Sequence, residues 1–120
     1  HGDGSESSTA IGYYAIVVAT PQNESQGEPS QALAAELVAA LGEAGFPPSN
    51  IVAEGAISYR DDLATINHAE VPAVLMELAQ FRHPEESQLV QDGAVRQRYA
   101  EALAAGIEQW LDDGAGSPVP

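Results

Sequence analysis

Nine residues near the start of the chain, Ile11 to Ala19 (IGYYAIVVA), are apolar at both alternating sets of positions and rich in β-branched and aromatic side chains. A strand with one wet face would alternate apolar and polar residues. This one reads as buried on both faces, which requires a parallel or mixed sheet covered by helices. The rest of the chain supplies such helices. Leu33, Leu37, Val38 and Leu41 form one stripe at helical spacing after Ser30, whose hydroxyl suits an N-cap. Gly42 and Gly45, followed by Pro47 and Pro48, stop that helix.

Further on, Ile51 to Ala53 is a short apolar piece, followed by a loop ending near Tyr59. Asp61 or Asp62 can cap a short helix running through His68, with Leu63 and Ile66 facing inward. Pro72 lacks a backbone donor and suits the start of a strand, Ala73 to Leu78. Pro84 opens a short helix with Glu85 and Glu86 placed against its dipole. A last helix, from Ala94, carries Val95, Tyr99, Leu103, Trp110 and Leu111 on one stripe. The order strand, helix, short strand, helix, strand, helix predicts an α/β architecture, with a mixed or mostly parallel sheet flanked by helices. Ile11–Ala19 and Ala73–Leu78 are its expected interior strands. One domain occupies residues 1–111, and 112–120 read as a flexible tail.

Charge narrows the function. Four Lys and Arg face 18 Asp and Glu, a net of −14. Phosphate backbones and anionic membrane surfaces are repelled by such a chain, so neither nucleic acid nor membrane is an expected partner. No apolar run is long enough to span a bilayer, and no signal peptide is present. The chain begins with His and not Met, so it reads as part of a longer product. Without Cys there is no disulfide framework and no cysteine-based zinc module. A Gly-x-Ser-x-Gly elbow is absent, as is a phosphate-cradling glycine loop after a strand.

Two residues stand out as candidates for chemistry. Glu77 is a carboxylate near the end of the apolar strand PAVLMEL, where burying an unpaired charge is costly and where α/β ligand sites gather. Burial there raises its pKa, or a metal or arginine balances its charge. The plain alternative is a strand that ends one residue sooner, leaving Glu77 in water. His1, in HGDGS, offers an imidazole followed by small residues that leave one side of a metal open. A terminal His can equally be incidental. His68 and His83 read as surface or capping residues, since neither forms a His-x-x-x-His pair. The adjacent Asp61 and Asp62 read as a cap rather than an acid pair.

The stretch Arg60 to Glu86 (RDDLATINHAEVPAVLMELAQFRHPEE) resembles the C-terminal signature of the zinc-dependent N-acetylmuramoyl-L-alanine amidases. That family has an Arg-led short helix, then Pro-Ala-Val-Leu-Val-Glu-Leu, a loop ending in Asn-Pro and a Glu-rich helix. The match runs through Pro72, Ala73, Val74, Leu75, Glu77, Leu78, Pro84 and Glu85. HGDGS is similar to the family's His-Ala-Asp-Ala segment, and the Phe-Pro-Pro turn after the first helix resembles its actinobacterial branch. Ala79 stands where Gly is usual, and His83 replaces the Asn before Pro84.

The resemblance implies the C-terminal portion of a phosphorylase/hydrolase-like amidase fold over residues 1–111. It implies a peptidoglycan hydrolase that cuts the amide between N-acetylmuramic acid and the L-Ala of the stem peptide, in the cell wall or periplasm. Carried over by position, it makes His1 a zinc ligand and Glu77 the catalytic glutamate. The family's Gly-His-Gly-Gly motif and its ligand Glu come before the segment matched by His1, so an upstream segment or a second chain is expected to complete the zinc site. The competing expectation is an amidase-like half that acts without catalysis, as a cell-wall binding or regulatory module.

Overall fold

The computed structural model describes residues 1–52 and 54–114. Its elements are, in chain order, β1 (Gly2–Asp3), β2 (Tyr14–Val18), α1 (Glu28–Glu43), β3 (Ile57–Arg60), α2 (Ala64–Asn67), β4 (Leu75–Glu77), β5 (Ala79–Gln80), α3 (Pro84–Leu89) and α4 (Gly93–Asp112). Strand β2 lies at the centre of a three-stranded mixed sheet in the order β3-β2-β4. It pairs in parallel with β3, Ala15 opposite Ile57, and antiparallel with β4, Tyr14 opposite Glu77. A separate parallel pair joins β1 to β5, with Gly2 opposite Ala79.

All five residues of β2 are buried, as its two-sided apolar pattern requires. Tyr14, Ile16 and Val18 belong to one apolar cluster with Leu41, Phe46, Ile66, Tyr99 and Ala102. Ala15 and Val17 belong to a second, with Ala34. Helix α4 packs closely on α1. A Cβ at Gly106 would lie 3.1 Å from the Glu36 carbonyl oxygen and the Leu37 Cα, so a larger residue there would push the helices apart. Trp110 ends the seam, its indole N–H donating to the Pro29 carbonyl at 3.1 Å.

Several expectations change. Ser30 is not the N-cap: α1 starts three residues earlier than expected with Pro29 in its first turn, and Gly27 is the capping residue. The Ser30 hydroxyl instead donates to the Ser25 carbonyl and accepts from the Ala73 N–H, tying the helix to the approach to β4. The helix runs through Gly42, and the chain turns at Gly45, whose φ of +92° favours glycine. The second parallel strand is Ile57–Arg60 and not the apolar piece at Ile51–Ala53, of which Ala53 lies outside the described residues. Ala73–Leu78 is neither one strand nor interior. Its Leu75–Glu77 part borders β2 at the sheet's edge, and the chain then passes to β1.

Leu63 caps α2 without a side-chain bond, and neither aspartate does so. Asp61 accepts from the Thr20 N–H and hydroxyl, both at 2.8 Å, while Asp62 pairs with Arg60 at 2.7 Å. Helix α4 is capped by Asp92 and continues to Asp112, and Leu111 is exposed where the stripe placed it inside. Of the tail read at 112–120, residues 115–120 lie outside the described residues.

Three tyrosines are buried in this core, and burial pushes the phenols of Tyr13, Tyr14 and Tyr99 above their ordinary value. A phenol held neutral by the fold contributes its full stability below the ordinary pKa of about 10 and loses it as pH rises beyond that. Urea unfolding between pH 8 and 12 is therefore expected to show a flat free energy that falls above about pH 10. The Tyr13→Phe variant should lose less over the same window. A profile flat to pH 12 would rule the effect out.

Candidate active site

The end of β4 and the start of the chain meet. His1 Nδ1 lies 2.9 Å from Glu77 Oε2, linking residues 76 apart in sequence. An ionised carboxylate can only accept, so the imidazole donates through Nδ1. The two partners sit in different surroundings: the Glu77 side chain is 8% exposed and that of His1 is 68% exposed. The hydrogen bond that His1 donates to Glu77, and then the negative charge of Glu77, raise the pKa of His1 above the ordinary value. Exposure of the imidazole screens that attraction, so the pair is a geometric feature more than a source of stability.

Backbone pairing brings His1 there. The Leu78 N–H donates to the His1 carbonyl at 2.8 Å, and the Phe81 N–H donates to the Asp3 carbonyl at 2.9 Å. Glu77 is thus the last residue of β4, immediately before the chain crosses to β1. The sequence reading of a strand-end carboxylate holds, and the version in which Glu77 reaches water does not. What faces it is an imidazole rather than an arginine.

The remaining histidines stay apart from this pair. His68 is exposed at the C-terminal end of α2. His83 caps α3, its Nδ1 accepting from the Glu86 N–H at 3.4 Å. Among the described residues no three His, Asp or Glu side chains are grouped closely enough to hold a metal ion.

One buried carboxylate escaped the sequence reading. Glu86 is 6% exposed, although its place in a helix's first turn suggested only a dipole partner. Its Oε1 accepts from the N–H groups of Gly12 and Gln80, both at 2.9 Å, and its Oε2 accepts from Gly12 at 3.1 Å. His83 and Glu86 have capping-box spacing, which signals a local bond but not one to segments this distant. Only glycine suits position 12, where a Cβ would lie 2.3 Å from the Pro48 carbonyl oxygen and φ is +92°. Asp3, Tyr14 and Gln80 also escaped notice: the Tyr14 hydroxyl and Gln80 Nε2 both donate to Asp3 Oδ2, at 2.7 and 3.0 Å. No local pattern announces such a cluster.

Fold and site together define a class, an α/β domain with a buried strand-end carboxylate presented to an imidazole. Comparison with known proteins makes the class specific. The family described as N-acetylmuramoyl-L-alanine amidase matches residues 1–109. An N-acetylmuramoyl-L-alanine amidase of Mycobacterium tuberculosis is 33% identical over 111 residues, which is 92% of this chain and 46% of that protein. The crystal structure of the amidase Ami1 of Mycobacterium smegmatis aligns with a TM-score of 0.90 at 32% identity, covering 94% of this chain and 52% of that one. The apo form of Ami1 from Mycobacterium abscessus gives 0.88 at 32% identity, covering 92% and 52%. The chain belongs to the N-acetylmuramoyl-L-alanine amidase family. It spans about half the length of these relatives.

Replacing Glu86 by Ala is expected to orphan two buried backbone donors at once. Each costs roughly 1–3 kcal/mol, so the loss should be among the largest that a single substitution gives here. Glu86→Gln keeps one acceptor oxygen and should recover part of the loss. Chemical unfolding of both variants checks this, and parent-like stability in Glu86→Ala would refute it.

Proposed function

We propose that residues 1–111 form the C-terminal portion of a peptidoglycan amidase catalytic domain. It hydrolyses the amide between the lactyl group of N-acetylmuramic acid and the L-Ala of the stem peptide. The reading rests on family membership and on one contact, the 2.9 Å hydrogen bond between His1 and the buried Glu77. Its substrates are peptidoglycan or muramyl peptides, met in the cell wall or periplasm. No helix among the described residues is long and apolar enough to cross a membrane.

One exposed imidazole beside a buried carboxylate fits one corner of a zinc site and not the whole of it. A neutral His1 that donates through Nδ1 keeps an acceptor lone pair on Nε2, and His1 is the residue that would hold zinc. The remaining donors would come from a segment outside these residues or from a second chain. When bound, zinc would supply Lewis-acid polarisation of the scissile carbonyl and activation of water near neutral pH. Glu77 takes the proton of the attacking water as the new C–O bond forms. It then delivers that proton to the amine nitrogen as the C–N bond breaks. Its burial keeps competing water away, and the His1 N–H holds the carboxylate in one orientation.

The rival is an amidase-like half that binds or regulates at the wall without cutting. It would be favoured only if no donors from outside these residues joined His1, since the described residues hold no group of three. Glu77→Gln separates the two in the full-length protein. Turnover of a muramyl peptide is expected to fall by roughly 10² to 10⁴ with zinc content and melting temperature retained. His1→Ala should lose zinc and turnover together. Near-normal cleavage by Glu77→Gln with zinc bound would remove Glu77 from the mechanism, and a parent protein that binds peptidoglycan without cutting it would favour the rival.

A further inference from the structure

A second polar group lies close to His1 and Glu77. Asp3 lies in β1, two residues after His1, whose carbonyl accepts from the Leu78 N–H. Tyr14 and Glu77 are direct partners across β2 and β4, so they stand side by side. The Tyr14 hydroxyl reaches from there to Asp3 Oδ2 at 2.7 Å, and Gln80 Nε2 donates to the same oxygen at 3.0 Å. Contacts thus close into a ring: Glu77 beside Tyr14, Tyr14 bonded to Asp3, Asp3 two residues from His1, and His1 bonded to Glu77.

Gln80 shows that this oxygen is held deliberately. It is fully buried, and its Oε1 has no hydrogen-bond partner among the described residues. An orphaned buried oxygen is costly. Turning the amide over would set that oxygen against the Asp3 carboxylate, which is worse. Asp3 therefore fixes the amide, and the amide with Tyr14 fixes Asp3.

We propose that Asp3 is a positioning residue whose carboxylate, gripped by Tyr14 and Gln80, sets β1 so that the His1 imidazole meets Glu77. The proposal rests on the reading of His1 and Glu77 given above. A two-residue strand has few ladder bonds of its own and needs such a tether to keep its register. Groups that orient a metal-holding histidine typically change metal affinity or activity by about 10- to 100-fold when removed.

The test uses the full-length protein with Asp3→Ala, Asp3→Asn and Tyr14→Phe, the last keeping the buried ring. Zinc affinity is measured by chelator competition, kcat and KM on a muramyl peptide, and amide exchange at Leu78 and Phe81, which bond to the His1 and Asp3 carbonyls. Asp3→Ala and Tyr14→Phe are expected to weaken zinc and lower kcat by about 10- to 100-fold with KM little changed. Leu78 and Phe81 should exchange faster, while Ala19, bonded to Arg60 across β2 and β3, keeps its protection. Asp3→Asn keeps an amide oxygen that can accept from both the Tyr14 hydroxyl and Gln80 Nε2, so it should recover most of what Asp3→Ala loses. A lower melting temperature with unchanged zinc affinity and kcat would reduce the cluster to ordinary packing. Equal damage from Asn and Ala would mean that the charge acts, not the tether. Unchanged exchange at Leu78 and Phe81 in Asp3→Ala would also overturn the proposal. Normal zinc content and turnover in both His1→Ala and Glu77→Gln would instead sink the underlying site reading.

Discussion

The parallel pairing of the first three residues with the segment after Glu77 is the contact on which the site depends. It closes a loop of more than seventy residues, from His1 to Leu78, at an entropy cost that only long-range bonds can offset. The strands involved are two residues each, too short to hold by their own ladder. Side chains make up the difference. Glu86 grips the N–H of Gln80 beside the pairing and that of Gly12 at the approach to β2. Asp3 gathers Tyr14 of β2 and Gln80 of β5 onto one oxygen. The central strand, the short pair and α3 are thereby fixed to one another around Glu77.

Much of this was legible because it followed from local rules. A strand that is apolar at every position must be covered twice, and β2 is. Pro84 opened α3 where a proline suits the first turn, and the stripe from Val95 to Trp110 gave α4. Glu77 was visible because a charge at the end of an apolar run needs a reason. What failed was decided by distant partners. Ser30 and Asp61 are good capping residues, but the groups they bind, Ala73 and Thr20, lie across the fold. The parallel strand fell at Ile57–Arg60, a stretch with polar and basic residues, because it borders a fully apolar neighbour and needs little apolar pattern of its own. Leu111 fitted a helical stripe on α4, but the buried face of that helix is centred on Tyr99, Ala102, Gly106 and Trp110.

Ion pairing contributes little to holding the molecule together. With a net charge of −14, most carboxylates have no cation to meet. Arg60 is spent on Asp62 at the surface, and Arg98 on the Ala44 carbonyl and the face of Phe46. Exposed contacts of this kind, screened by solvent, add little to stability. Cohesion comes from the burial of β2 and from the close α1–α4 seam that Gly106 permits. The acidic surface can therefore vary without touching the core, and the carboxylates that matter are the few that are buried.

Those few differ in how completely they are satisfied, and the difference bears on what each can do. Glu86 accepts three bonds from two backbone donors, which fix its carboxylate between Gly12 and Gln80. Glu77 has one side-chain partner, the imidazole of His1, which is itself largely exposed. A carboxylate saturated by fixed backbone donors is a structural clamp. One held by a single side chain, at the end of a strand, is far less tied to its surroundings. Two glutamates nine residues apart thus differ in kind: Glu86 joins distant segments through their backbone donors, and Glu77 meets one side chain at the end of its strand.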